Sequence, residues 1–152
     1  MKRTLSLLLA LVMILGSFPA VFAASESVEE KAGALLFGLD VLRGVNDAGD
    51  LELDASLTRQ DALVMLSRLI EGVDDKVFNS YEVKEDYPFT DVPAGGYQAV
   101  TQWAYDNEIT LGKGDGKFGF GDVVTAQQYV TFLMRALGYE VEAGEAYDKV
   151  LE

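Results

Sequence analysis

The chain has no cysteine and no histidine among its 152 residues, and little proline, with three. Without cysteine no disulfide framework or thiol nucleophile is available; without histidine the imidazole general bases and the usual zinc ligand sets are gone. Positive charge is also scarce, at 12 Lys and Arg against 25 Asp and Glu, a net of −13. Polyanion binding exchanges condensed counterions for Lys and Arg, and no basic stripe exists here to do it, so nucleic acid is excluded as a partner. Nothing fixes two of the many carboxylates at a hydrolytic separation. Only carboxylate, hydroxyl, Lys and Tyr chemistry remains, which thins out the enzyme classes, and no cofactor or metal is expected.

What is present begins with an export signal. Lys2 and Arg3 precede an apolar run from Leu5 to Leu15, and Val21-Phe22-Ala23 supplies a small-residue exit. Residues 1–23 are expected to be a cleaved secretory signal, the apolar run being shorter than the roughly 20 residues that cross a bilayer. Cleavage would leave ten basic against 25 acidic residues, a net of −15. Such a surface favours solubility and repels anionic lipid, so no membrane partner is expected after cleavage.

An internal repeat carries most of the information. TRQDALVMLSRLIEG (58–72) lies over TAQQYVTFLMRALGY (125–139) at an offset of 67. Ala62, Met65, Leu66, Leu69 and Ile70 share one helical face, as do Tyr129, Phe132, Leu133, Ala136 and Leu137. Thr58 and Thr125 are placed to cap the first turns, with Asp61 and Gln128 in the reciprocal position and Gly72 and Gly138 as terminators. Upstream helices carry Ala32, Leu35 and Leu36, then Val100, Trp103 and Ala104, at an offset of 68. Each unit reads helix, Gly/Asp loop, short extended piece, capped helix, so the fold class is mainly α with tandem helix-loop-helix repeats. Units this small cannot bury their apolar faces alone.

The glycine-rich loop at 113–117 lacks the alternating oxygen ligands and twelfth-position glutamate of a calcium loop, as does Asn46-Asp47-Ala48-Gly49-Asp50. It also lacks the Lys-Ser/Thr of a phosphate cradle. Both loops are read as scaffold, with Phe118 and Phe120 anchoring the return.

The segment from Phe89-Thr90-Asp91-Val92-Pro93 through Ile109, Gly116, Phe118 and Thr125 to Tyr139 resembles an S-layer homology (SLH) module, the repeat that attaches bacterial surface proteins to the cell wall. Residues 24–72 resemble a degenerate copy lacking the opening FxDV motif. It keeps Leu57-Thr58-Arg59-Gln60-Asp61, close to the family's TRAE signature. Residues 73–88 form an acidic connector, read as a surface loop open to proteases, and 140–152 the start of an incomplete third repeat.

The resemblance implies non-catalytic retention at a bacterial cell wall or S-layer. Three modules would hold a secondary cell-wall polysaccharide, often pyruvylated and acidic, in the grooves between them. It places the principal carboxylate contact on Arg59 and leaves the equivalent Ala126 without charge. Asp91, Tyr97 and Trp103 are the further candidates for ligand contact, each with a structural alternative: backbone hydrogen bonding for Asp91, and packing for Tyr97 and Trp103. Arg59, away from the apolar stripe, would otherwise be a solvated charge. Self-association, pairing with other SLH modules, or protein assembly without sugar recognition are the other partner readings.

Overall fold

Threonine caps set the two best-defined helix starts. In the computed structural model, which describes residues 27–44 and 49–141, five helices occur among the described residues. They are α1 (Val28–Gly38), α2 (Arg59–Glu71), α3 (Lys76–Ser80), α4 (Gly96–Asp106) and α5 (Ala126–Ala136). The expected signal at 1–23, the scaffold loop through Asn46 and the third-repeat start at 140–152 fall wholly or partly outside the described residues. No helix among the described residues is long and apolar enough to cross a membrane.

The chain divides into two units, Met1–Ala32 and Gly33–Glu152. The described part of the first is the start of α1, where Ser27 and Glu30 cap reciprocally: the Glu30 amide donates to Ser27 Oγ at 3.1 Å and the Ser27 amide to Glu30 Oε2 at 2.7 Å.

In the second unit α2 lies against α3, α4 and α5, and α3 lies against α4. Leu63, Leu66, Val77, Phe89, Val100, Trp103, Ile109, Phe118 and Phe132 form the core between them. Three neighbours widen the buried face of α2 beyond the expected stripe. Leu63 and Val64 are buried, while Leu69 and Ile70, in the last turn, emerge at 52% and 44% exposure. The full capping box belongs to α5 alone of the two, with Gln128 N–H to Thr125 Oγ1 and Thr125 N–H to Gln128 Oε1, both at 3.2 Å. At α2 the Asp61 amide donates to Thr58 Oγ1 at 3.3 Å, but the Asp61 carboxylate accepts the Thr58 hydroxyl rather than its amide. The residues on either side of Thr58 pair with the glycine loop. Arg59 N–H donates to Asp122 O and Val124 N–H to Leu57 O, both at 2.9 Å, in the isolated bridge Thr58–Val123.

The 73–88 connector is no free loop. It contains α3, buries Val77, and is tied to α4 by Tyr81 Oη to Asp106, Lys84 Nζ to Asp106 and Tyr87 Oη with Thr101. Phe78 sets its ring edge-on to Tyr97, and only a glycine at position 96 leaves room for it, since a Cβ there would stand 2.2 Å from the ring. Packing of these aromatics, not connector length, decides the conformation.

One backbone turn occurs twice. After α1, Asp40 N–H donates to Phe37 O and both Val41 and Leu42 amides to Leu36 O; after α4, Glu108 N–H donates to Tyr105 O and both Ile109 and Thr110 amides to Ala104 O. Asp40 and Glu108 share a left-handed φ, 57° and 58°. The bounds of α1 and α4 differ by 68 positions, and the starts of α2 and α5 by 67.

Candidate functional site

The Phe118–Phe120 turn gathers three of the four sequence candidates. Asp91 accepts backbone N–H bonds from Phe118 (2.8 Å), Gly119 (2.8 Å) and Phe120 (3.2 Å), so its main bonding is to a loop 27 to 29 residues away. Burial pushes the Asp91 carboxyl up, but these donors outweigh it and hold it below the ordinary carboxylate range. Its role here is to fold the loop. Gln60 extends the arrangement by accepting the Gly121 amide at 3.0 Å.

Arg59 is the main departure from expectation. It is only 3% exposed, because the glycine loop covers the first turn of α2 instead of leaving it to solvent. Nε donates to Phe118 O at 3.1 Å, and the guanidinium carbon stands 5.0 Å from the Phe118 ring centroid and 5.2 Å from that of Phe132. Burial lowers the guanidinium's pKa while the Asp122 and Asp91 charges raise it, with burial the larger effect. An arginine nevertheless stays charged. Two ring faces therefore compensate a cation that has left water. Gly119, at φ +88°, makes the approach possible: a Cβ would lie 3.3 Å from Arg59 Nε and 2.6 Å from Asp122 Oδ2.

Among the described residues the two Nη atoms have no hydrogen-bond partner, and no buried side-chain nitrogen or oxygen lacks one. The remaining exposure of Arg59 thus includes its Nη edge, which has donors to spare. Ala126, the counterpart on α5, is exposed and offers none.

Tyr97 closes the other side of the turn, with its ring 5.3 Å from Phe120 and its hydroxyl donating to Asp61 Oδ1 at 3.3 Å. Trp103 stands apart from this group. It is 2% exposed and donates Nε1–H to Glu71 Oε1 at 3.2 Å, at the opposite end of α2. Its ring is core, without a free face for a sugar. Sequence reasoning missed Phe132 as a wall of the Arg59 site, although it lies on the recognised α5 stripe. It also missed Gln60, for which the sequence carries no signal. No group of His, Cys, Asp or Glu that could hold a metal occurs among the described residues.

Comparison with known proteins gives two similarities. The chain is 46% identical over 54 residues to a cell surface protein of Thermoanaerobacter kivui, covering 35% of this chain and 7% of that one. It is 28% identical over 155 residues to an endoglucanase of Bacillus sp. (strain KSM-635), covering 91% of this chain and 15% of that one. The chain thus corresponds to a small fraction of either relative's length. No family profile matches it. No solved structure matches it either.

Proposed function

We propose that the chain is a non-catalytic, secreted envelope-attachment module of the SLH type that binds an acidic secondary cell-wall polysaccharide. The observation that carries this reading is the unpartnered Nη edge of Arg59, held in a fixed orientation between Phe118 and Phe132. A guanidinium pairs both oxygens of a carboxylate at once, and one whose rotamer is already locked by packing loses little freedom in doing so. The FTDVP opening and the Leu57–Asp61 signature support the reading from sequence. Similarity to a cell surface protein, and the lack of a membrane-spanning helix among the described residues, fit surface association without insertion. The endoglucanase similarity spans a small part of that enzyme and is read here as a shared non-catalytic region.

The second reading is assembly through protein contacts on the same fold. Leu35, Phe37 and Leu39 are 64%, 48% and 53% exposed and offer an apolar surface for it. Titration of the protein with a pyruvylated wall polysaccharide and with the same polymer stripped of its ketals separates the two. Glycan recognition by Arg59 requires tight binding of the first and at least about tenfold weaker binding of the second. Equal binding to both would remove the role assigned to Arg59.

A further inference from the structure

The turn that occurs twice ends differently in its two settings. After α1, Arg43 bonds the Asp40 carboxylate through Nε (3.1 Å) and Nη2 (3.2 Å), pairs with Asp75, and reaches Val73 O. Arg68 completes the cluster, donating to Asp75 Oδ1 at 2.7 Å and to Val41 O at 3.1 Å. Two arginines and two aspartates thereby fill the space between the end of the turn and the end of α2.

After α4 the register puts Glu108 in place of Asp40, Leu111 in place of Arg43 and Arg135 in place of Arg68. Leu111 cannot pair with Glu108 and is 64% exposed. Arg135 turns inward, both Nε and Nη2 donating to Val141 O at 3.1 and 2.9 Å. Where the first setting has an ionic cluster, the second has an open cleft of about 1050 Å³, lined among others by Tyr105, Asn107, Glu108, Leu111, Arg135 and Tyr139. That volume matches the upper end of ligand clefts, about 300–1,000 Å³.

We infer that this cleft is a second binding site, distinct from the Arg59 site, for a neutral oligosaccharide chain. Tyr105 and Tyr139 are 39% and 58% exposed, so part of each ring can lie against the C–H face of a sugar. Glu108 and the Asn107 amide supply acceptors for sugar hydroxyls. Charge disfavours acidic glycans: Asp106, Glu108 and Glu140 line the cleft against one lining cation, Arg135, although Asp106 is itself paired with Lys84. Open shape and mixed lining suit an extended chain of sugars better than an apolar ligand.

The test is a ¹⁵N–¹H NMR titration of the whole chain with chitotetraose, which is neutral, and with tetragalacturonate, which is acidic. Chitotetraose is expected to shift the amides of Tyr105 to Leu111 and of Gly138 to Val141, and tetragalacturonate to leave them in place. Tyr139→Ala, at an exposed position, should weaken chitotetraose binding by at least about tenfold with the spectrum otherwise preserved. Leu111→Arg should do the same by putting a guanidinium beside Glu108, as Arg43 stands beside Asp40. Arg59→Lys should leave the chitotetraose affinity unchanged, which separates this site from the one proposed for acidic polysaccharide. Absence of chitotetraose shifts at millimolar concentration, shifts centred on Phe118–Phe120, or equal response to tetragalacturonate would each overturn the inference.

Discussion

Arg59 and Phe118 hold each other twice: the Arg59 Nε donates to the Phe118 carbonyl at 3.1 Å while its guanidinium lies 5.0 Å from the centroid of the same residue's ring. Fifty-nine positions separate them, so this pair ties the start of α2 to the return of the glycine loop. Arg59→Ala should therefore lower unfolding stability by about 2 kcal/mol or more, because it removes a charged hydrogen bond together with the cation's attraction to two rings. Urea denaturation of the two proteins measures it. An unchanged midpoint would mean that the arginine is solvated after all.

Asp91 makes the loop sensitive to acid. Its folded pKa is held below the usual carboxylate value by three backbone donors. Its stabilisation is therefore complete above the unfolded value, about 3.9, and is lost as pH falls through the folded one. Asp75, whose carboxyl burial raises but Arg68 and Arg43 lower by more, acts in the same direction. Stability should decline below about pH 5, and Asp91→Asn should both lower it at neutral pH and flatten that decline. Thermal unfolding from pH 3 to 7 gives both slopes; parallel slopes would contradict the assignment.

The two capped helices should respond unequally to truncation. Leu66 is 1% exposed, and Leu66→Ala should cost about 2 to 5 kcal/mol. Leu133, at the same position on α5, is only partly buried, and its alanine variant should cost about half as much. Equal losses would mean that α5 is covered as completely as α2.

Limited proteolysis addresses the connector. Since α3 packs on α4 and Tyr81, Lys84 and Tyr87 bond to it, cleavage within α3 should be no faster than in α2. Preferential cutting in that segment would return it to the surface loop suggested by its length and charge.

Features written into neighbouring residues were legible from sequence. Thr58 and Thr125 each accept a first-turn amide as their spacing from Asp61 and Gln128 suggests, though only Gln128 returns the bond, and the offsets of 68 and 67 recur in the starts of the paired helices. What escaped depends on partners far along the chain. Asp91 finds its donors 27 to 29 residues on, Arg59 its carbonyl 59 residues on, and the connector its anchors on α4. A charged residue at a first-turn position reads as solvated until a loop is known to cover it. The buried face of α2 was misjudged for the same reason, since periodicity locates one stripe and three packed neighbours require a broader one.

The most direct measurement is co-sedimentation of the folded protein with purified bacterial sacculi, before and after chemical removal of the secondary wall polysaccharide. Attachment through an acidic polysaccharide requires binding to intact sacculi, its loss on stripping, and at least about tenfold weakening in Arg59→Lys, where charge remains but the two-pronged geometry does not. Undiminished binding to stripped sacculi, with Arg59→Lys indistinguishable from the parent, would contradict it.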